Sequence, residues 1–201
     1  MNETIESTPV TEFILSSEKN LRIGEAVHSG WEAAKNAVAR DFCRRLRAEL
    51  KKKLPEWRSQ DWELLRSRRG SFGIWKPGWD VYSVVLQAGD YGAEMTYGIM
   101  RDENSIEKRP FSTELLEAVK RQVPSARAMK WWEAVIKLQW PGPDWRTPEI
   151  LWQMHTKDEF LQEVEAPLLE LAKLGEPILD GLVAKYGGKK KRVQVSSKSS
   201  L

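Results

Sequence analysis

A chain of 201 residues, 41% hydrophobic and 30% charged, is long enough for one domain with its own core. The formal net charge of +3 excludes a chain that is polycationic throughout. Cys43 is the single cysteine, which excludes an intrachain disulfide and fits a reducing compartment.

The N-terminus, Met1-Asn2-Glu3-Thr4-Ile5-Glu6-Ser7-Thr8-Pro9, is acidic and polar. It lacks the basic start and apolar stretch of a secretory signal, so a cytoplasmic protein is expected. No run of about 18 apolar residues occurs, and no membrane partner is expected. Residues 1–20 read as a loose tail, with a short strand at Phe13-Ile14-Leu15. Val27, Trp31, Ala34, Val38, Phe42, Leu46, Leu50 and Leu54 then recur every three or four residues. That spacing predicts a long helix over about 25–54 with one apolar face, stopped by Pro55. Its other face carries most of a cationic cluster: residues 40–58 hold Arg40, Arg44, Arg45, Arg47, Lys51, Lys52, Lys53 and Arg58 against Asp41, Glu49 and Glu56.

Residues 56–70 read as a short helix or loop ending at Arg66-Ser67-Arg68-Arg69-Gly70. Phe72-Gly73-Ile74-Trp75, Val81 to Leu86 and Glu94 to Met100 are β-branched or alternating runs separated by the turn residues Lys76-Pro77-Gly78 and Gly89-Asp90-Tyr91-Gly92. The connections are too short for parallel crossovers, so a three-stranded antiparallel meander over about 72–100 is predicted. Residues 101–110 form a charged loop. Ser112 caps a helix carrying Leu115, Leu116, Val119 and Val123. Residues 127–140 suit either a helix (Trp131, Val135, Leu138) or a strand (Ala134 to Leu138), and the helix is preferred. Thr147-Pro148-Glu149 starts a further helix. Thr156-Lys157-Asp158-Glu159 matches a capping box and opens another, kinked or broken near Pro167. A last helix runs from Glu176 to Tyr186 and ends at Gly187-Gly188. The expected architecture is α+β: a long N-terminal helix, the meander and a C-terminal helical part, forming a single domain over 21–187. Residues 188–201, basic and Ser-rich, read as a disordered tail.

No residue set spells out a reaction. His28, His155 and Cys43 cannot make an ordinary zinc site. No G-x-S-x-G or G-x-G-x-x-G occurs, and Gly188-Lys189 lacks the rest of a phosphate loop. No catalytic residue, metal or cofactor is therefore expected. What stands out is ten tryptophans, several among charged residues. Indoles beside guanidinium groups are interface anchors in protein complexes and stacking platforms for bases. The candidate binding residues are Arg44, Arg45, Lys51, Lys52, Trp57, Arg58, Trp62, Arg66, Arg68, Arg69, Trp75 and Trp79. The same residue types also arise when tryptophans pack under a sheet with arginines laid over them.

Phe42, Leu46 and Leu50, followed by Phe72 to Trp75, Trp79 to Leu86 and Met95-Thr96-Tyr97-Gly98-Ile99, resemble the region after the catalytic core in some prokaryotic PD-(D/E)XK nuclease-superfamily proteins. The family's Asp and Glu-x-Lys motif is missing: Asp80 precedes Glu94, but Thr96 stands where the lysine belongs. The resemblance thus implies an accessory recognition module without the enzyme, in a bacterial or phage defence or counter-defence setting. The expectation is a non-enzymatic macromolecule-binding module with a protein partner, for example an inhibitor of a nucleic-acid machine. The alternatives are direct DNA or RNA binding through the Trp/Arg surface, and a degenerate metal-dependent nuclease using Asp80, Asp90 and Glu94.

Overall fold

A computed structural model describes residues 8–79, 81–102, 111–142 and 144–186. In chain order the elements are α1 (Pro9–Leu15), α2 (Glu18–Lys53), β1 (Arg58–Trp62), β2 (Ser71–Trp75), β3 (Tyr82–Gly89), a 3-10 turn (Asp90–Gly92), β4 (Glu94–Arg101), α3 (Thr113–Gln122), β5 (Arg127–Met129), β6 (Trp132–Lys137), α4 (Pro148–Thr156) and α5 (Asp158–Tyr186). The architecture is α+β, with the long N-terminal helix and the C-terminal helical part that the sequence predicts.

The strands form one six-stranded sheet in the order β1-β2-β3-β4-β6-β5, every pairing antiparallel. β2, β3 and β4 are the meander. Its central register sets Val84 opposite Ile99 and Leu86 opposite Tyr97. These four residues, with Phe72, Ile74, Ala134 and Ile136, form one sheet face and join the main core with residues of α2, α3, α4 and α5. Phe42, Trp145 and Phe160 tie α2 to the segment before α4 and to α5, with ring centroids 5.3–6.2 Å apart and steep interplanar angles.

The N-terminal segment departs from a loose tail with a strand at Phe13-Ile14-Leu15. Thr8 caps α1 by accepting from the Thr11 N–H at 3.2 Å, and Pro9 opens the helix. These local start signals outweigh the β-propensity of three apolar residues. Ser17 caps α2 in the same way, through the Asn20 N–H, so that helix begins at Glu18 rather than near 25. Ile14 lies against Gly24, where the missing side chain lets the two helices approach.

Three more expectations are corrected. Residues 58–62 are a strand, not a helix or loop, because Arg58 to Trp62 pair residue for residue with Trp75 to Ser71. Residues 127–129 and 132–137 are strands, not a helix. β6 is buried on both faces, so every residue from Trp132 to Ile136 is enclosed. A doubly covered strand shows no period of two, and the apparent helical spacing of Trp131, Val135 and Leu138 is accidental. The helix does not break near Pro167. α5 runs unbroken through Pro167 and Pro177, held by Val164, Leu168, Leu171 and Leu179 in the core, so the predicted last helix is its final third. The charged loop mostly falls outside the described residues, as do Gly187-Gly188 and the basic tail.

Candidate binding surfaces

The structure separates the candidate residues into three groups. Trp57 and Trp79 are core residues, packed edge to face at 4.8 Å. The Trp79 indole donates to Asp180 Oδ1 at 2.8 Å, and Lys76 donates to Asp180 Oδ2 at 2.6 Å. These two rings therefore serve packing. Burial works against the Asp180 charge, but hydrogen bonds from Lys76 and Trp79 offset it and hold the carboxyl below its usual range.

Most of the cations are neutralised locally. Arg44 and Arg45 both grip Asp41, at 2.6 and 3.0 Å, and the Arg44 hydrogen bond holds that carboxyl low. Arg45 also donates to the Met154 carbonyl, which anchors α2 to the end of α4. Lys52 pairs with Glu49 at 2.6 Å, and Lys51 donates to the Pro55 carbonyl. Arg66 pairs with half-buried Asp61, beneath which the Cys43 thiol is buried and pushed far above its ordinary range. Arg68 and Arg69 are exposed, Arg68 lying 3.8 Å from Asp90. The phosphate-facing stripe on α2 is thus largely an ion-paired face.

Arg58, Trp62 and Trp75 do come together. Arg58 stands opposite Trp75 in the β1–β2 register, and Trp62 and Trp75 stack at 6.0 Å with 21° between ring planes. Both rings are half-buried, and Arg58 is exposed. Trp75 also touches the main core. Trp62 reaches across Gly73, where a Cβ would come within 2.6 Å of its ring.

A second surface was missed by the sequence. From Glu18 to Val38, about 30 Å of helix, α2 has no buried residue. Val27 is 66% exposed and Trp31 40% exposed, with Leu21 and Ile23 also exposed on the same helix. α1 adds Val10, Phe13 and Leu15. The stripe runs into an apolar groove of about 340 Å³ between α2 and α4, lined by Trp31, Ala34, Val38, Pro148, Leu151 and Trp152, with Lys35 and His155 as its polar members. Trp152 is 64% exposed. The periodic spacing from Val27 to Leu54 is real, but Val27, Trp31 and Ala34 serve the surface while Phe42 to Leu54 serve the core. Spacing alone does not distinguish a face that meets its own fold from one that does not.

A larger groove of about 540 Å³ lies between α2 and α5, lined by Glu49, Lys53, Asp158, Glu165, Glu170 and Lys173 among others. Glu165 is buried and accepts from Lys53 at 2.7 Å. No group of three or more His, Cys, Asp or Glu side chains is placed to hold a metal among the described residues. Asp80 lies outside them. Asp90 and Glu94 flank one turn, and Glu94 faces Lys137 at 3.3 Å. Among the described residues the nuclease alternative gains no metal-ligand set. No described helix is long and apolar enough to cross a membrane. No protein-family model, curated protein or solved structure matches the chain.

Proposed function

We propose that this chain is a non-enzymatic protein-binding module whose docking element is the α1–α2 arm with the groove beside α4. The observation that carries it is the exposed stripe of Ile23, Val27 and Trp31 at helical spacing on α2, which leads into the groove beside α4. An exposed apolar run of this kind marks a surface that a partner covers, since scattered single residues are the norm on a monomer. The groove suits an amphipathic helix, whose apolar face would lie along Val27, Trp31 and Trp152. Bacterial or phage defence is the biological setting proposed for the module, following the nuclease-superfamily resemblance.

The test is affinity capture at high salt, comparing wild type with the double variant Trp31→Glu/Trp152→Glu, alongside sedimentation of both proteins. Both side chains are exposed, so the fold should survive substitution. Wild type should retain a discrete protein, either a second copy or a different chain, that the variant loses. Apolar contacts persist in salt, whereas polyanion binding fades. Identical behaviour of the two proteins, both monomeric and recovering the same background, rejects the proposal.

A further inference from the structure

The face of the sheet opposite the helices is not the polar surface that antiparallel sheets ordinarily turn to water. Alternation along the strands puts Arg58, Gln60 and Trp62 of β1 on this face, with Ser71, Gly73 and Trp75 of β2. Next come Ser83, Val85 and Gln87 of β3 and Met100, Gly98 and Thr96 of β4. β6 adds Trp132, Val135 and Lys137, and β5 adds Arg127 and Met129. Val85, Trp132 and Val135 form a second apolar cluster with Met100 and Trp131, and no described helix contributes to it. Trp131 and Trp132 are part of this cluster, and Trp62 and Trp75 lie to its β1–β2 side.

Among the described residues of this face, cations outnumber carboxylates. Arg58 is exposed beside Trp75, Arg127 is exposed on the outer strand, and Lys130 lies 5.4 Å from the centroid of the Trp131 ring. Lys137 is a fourth cation; among the described residues the carboxylates on this side are its partner Glu94, at 3.3 Å, and exposed Asp102, which follows Met100 by one alternation. On α2, by comparison, Arg22, Lys35, Arg44, Arg45, Lys52 and Lys53 are each paired with a carboxylate.

We propose that this sheet face binds single-stranded nucleic acid. Trp62 and Trp75 are the stacking platform for unpaired bases, and Arg58, Arg127 and Lys130 meet the phosphates. Stacking on an indole needs a base free of its duplex partner, and every base has a π-face, so the site is tolerant of sequence. Val85, Trp132 and Val135 are buried at the middle of the face, so its accessible stacking surface is the half-exposed Trp62–Trp75 pair at the β1–β2 edge, with Arg58 exposed beside it. The site is separate from the arm in both residues and chemistry, and it goes beyond the protein-binding role.

The experiment is fluorescence anisotropy of a fluorescein-labelled oligodeoxythymidylate, with the full chain and a salt series, and a labelled duplex of equal length as comparison. Wild type should bind the single strand more tightly than the duplex, with affinity falling as salt rises. Trp62→Ala and Trp75→Ala should each weaken binding about 5- to 150-fold. Arg58→Ala, at an exposed position, should flatten the log–log salt slope by about 0.7, one single-strand phosphate contact. Gly73→Ala keeps both indoles but forces the Trp62 ring to shift, and it too should weaken binding if the alanine variants fail to fold. Changing Lys189, Lys190, Lys191 and Arg192 together to Ser should leave the platform's contribution intact, and Trp31→Glu should leave binding unchanged. The proposal is overturned if wild type does not bind the oligonucleotide at low salt. It is also overturned if the duplex binds as tightly, if Arg58→Ala and Gly73→Ala bind like wild type, or if only the tail substitutions abolish binding.

Discussion

Asp180 shows how a charged residue on α5 settles the place of an indole that sequence alone leaves ambiguous. Trp79 follows Pro77-Gly78 and precedes an acid, a context that fits a surface ring equally well. Its N–H needs an acceptor if the ring is buried, and Asp180, about a hundred residues later, supplies one at 2.8 Å. No local pattern predicts so distant a partner. Because the folded carboxyl lies below its ordinary value of 3.8, its contribution to stability is present above that pH and is lost as pH falls through the folded value. Lys76 bounds the other side. Hydrogen bonds to Asp180 and then Glu176 raise its ammonium above 10.5, so its share is present below that pH and is lost as pH rises through the folded value. Asp180→Asn should therefore be less stable than wild type at neutral pH in urea unfolding, with the gap closing only as pH falls below 3.8; a gap constant with pH would contradict this. Glu133 has the opposite sign. Burial raises its carboxyl above 4.5 despite the Ser112 N–H at 2.9 Å and Arg101 at 3.5 Å. Folded protein holds that proton more tightly, so the stability it confers is present at acid pH and lost as pH rises through the folded value. Relative to wild type, Glu133→Gln should gain stability as pH climbs past 4.5, whatever the offset between them at low pH.

Among the elements, α2 is the one whose two halves obey different physics. Phe42, Leu46 and Leu50 are sealed against sheet and helices, while nothing from Glu18 to Val38 is buried. Leu46→Ala should cost about 2–5 kcal/mol in urea unfolding, as transfer and cavity terms combine. Val27→Ser, on the same stripe, should stay within about 0.5 kcal/mol of wild type because the methyl groups are already in water. Comparable costs at the two positions would mean that the arm packs on something. Residues 18–38 bury no side chain and meet α1 and the rim of α4, so amide exchange should also step along this one helix. Amides of residues 21–34 should exchange faster than those of 42–53, read by mass spectrometry of overlapping peptides, and uniform protection would refute the division. The helix itself was legible because its spacing is regular, and α3 because Ser112 is a strong cap that accepts from the Leu115 N–H. The meander was legible through its turn residues and β-branched runs. β1, β5 and β6 were not. β1 holds Arg58, Ser59, Gln60 and Asp61, whose polarity hides a strand recruited by pairing with β2, and β6 is covered on both faces. Long-range pairing, which no window of sequence contains, decided all three.

At the level of the whole molecule, the candidate residues and the exposed apolar residues of α2 lie on two separate surfaces. Trp and Arg were the right residue types, but burial took Trp57 and Trp79, and ion pairs took Arg44, Arg45 and Arg66. What remains is an apolar arm carrying Val27 and Trp31 and a basic indole face carrying Arg58, Trp62 and Trp75. The arm is built from α1 and α2 and the indole face from β1 and β2, so no residue belongs to both, although Trp75 also packs on the main core. On the two proposals, contacts made by the arm would depend on apolar area and tolerate salt, while contacts of the sheet face would depend on phosphate neutralisation and would not. Substitutions that share no partner act additively, usually within about 0.5 kcal/mol. A double-mutant cycle with Trp31→Glu and Arg58→Glu should therefore show two independent losses: Trp31→Glu alone removes the salt-resistant protein interaction, Arg58→Glu alone weakens oligonucleotide binding, and the double variant shows both losses at their single-variant size. A coupling well beyond that margin in either assay would mean that arm and sheet face form one continuous site for one partner, and the division into two surfaces would fall.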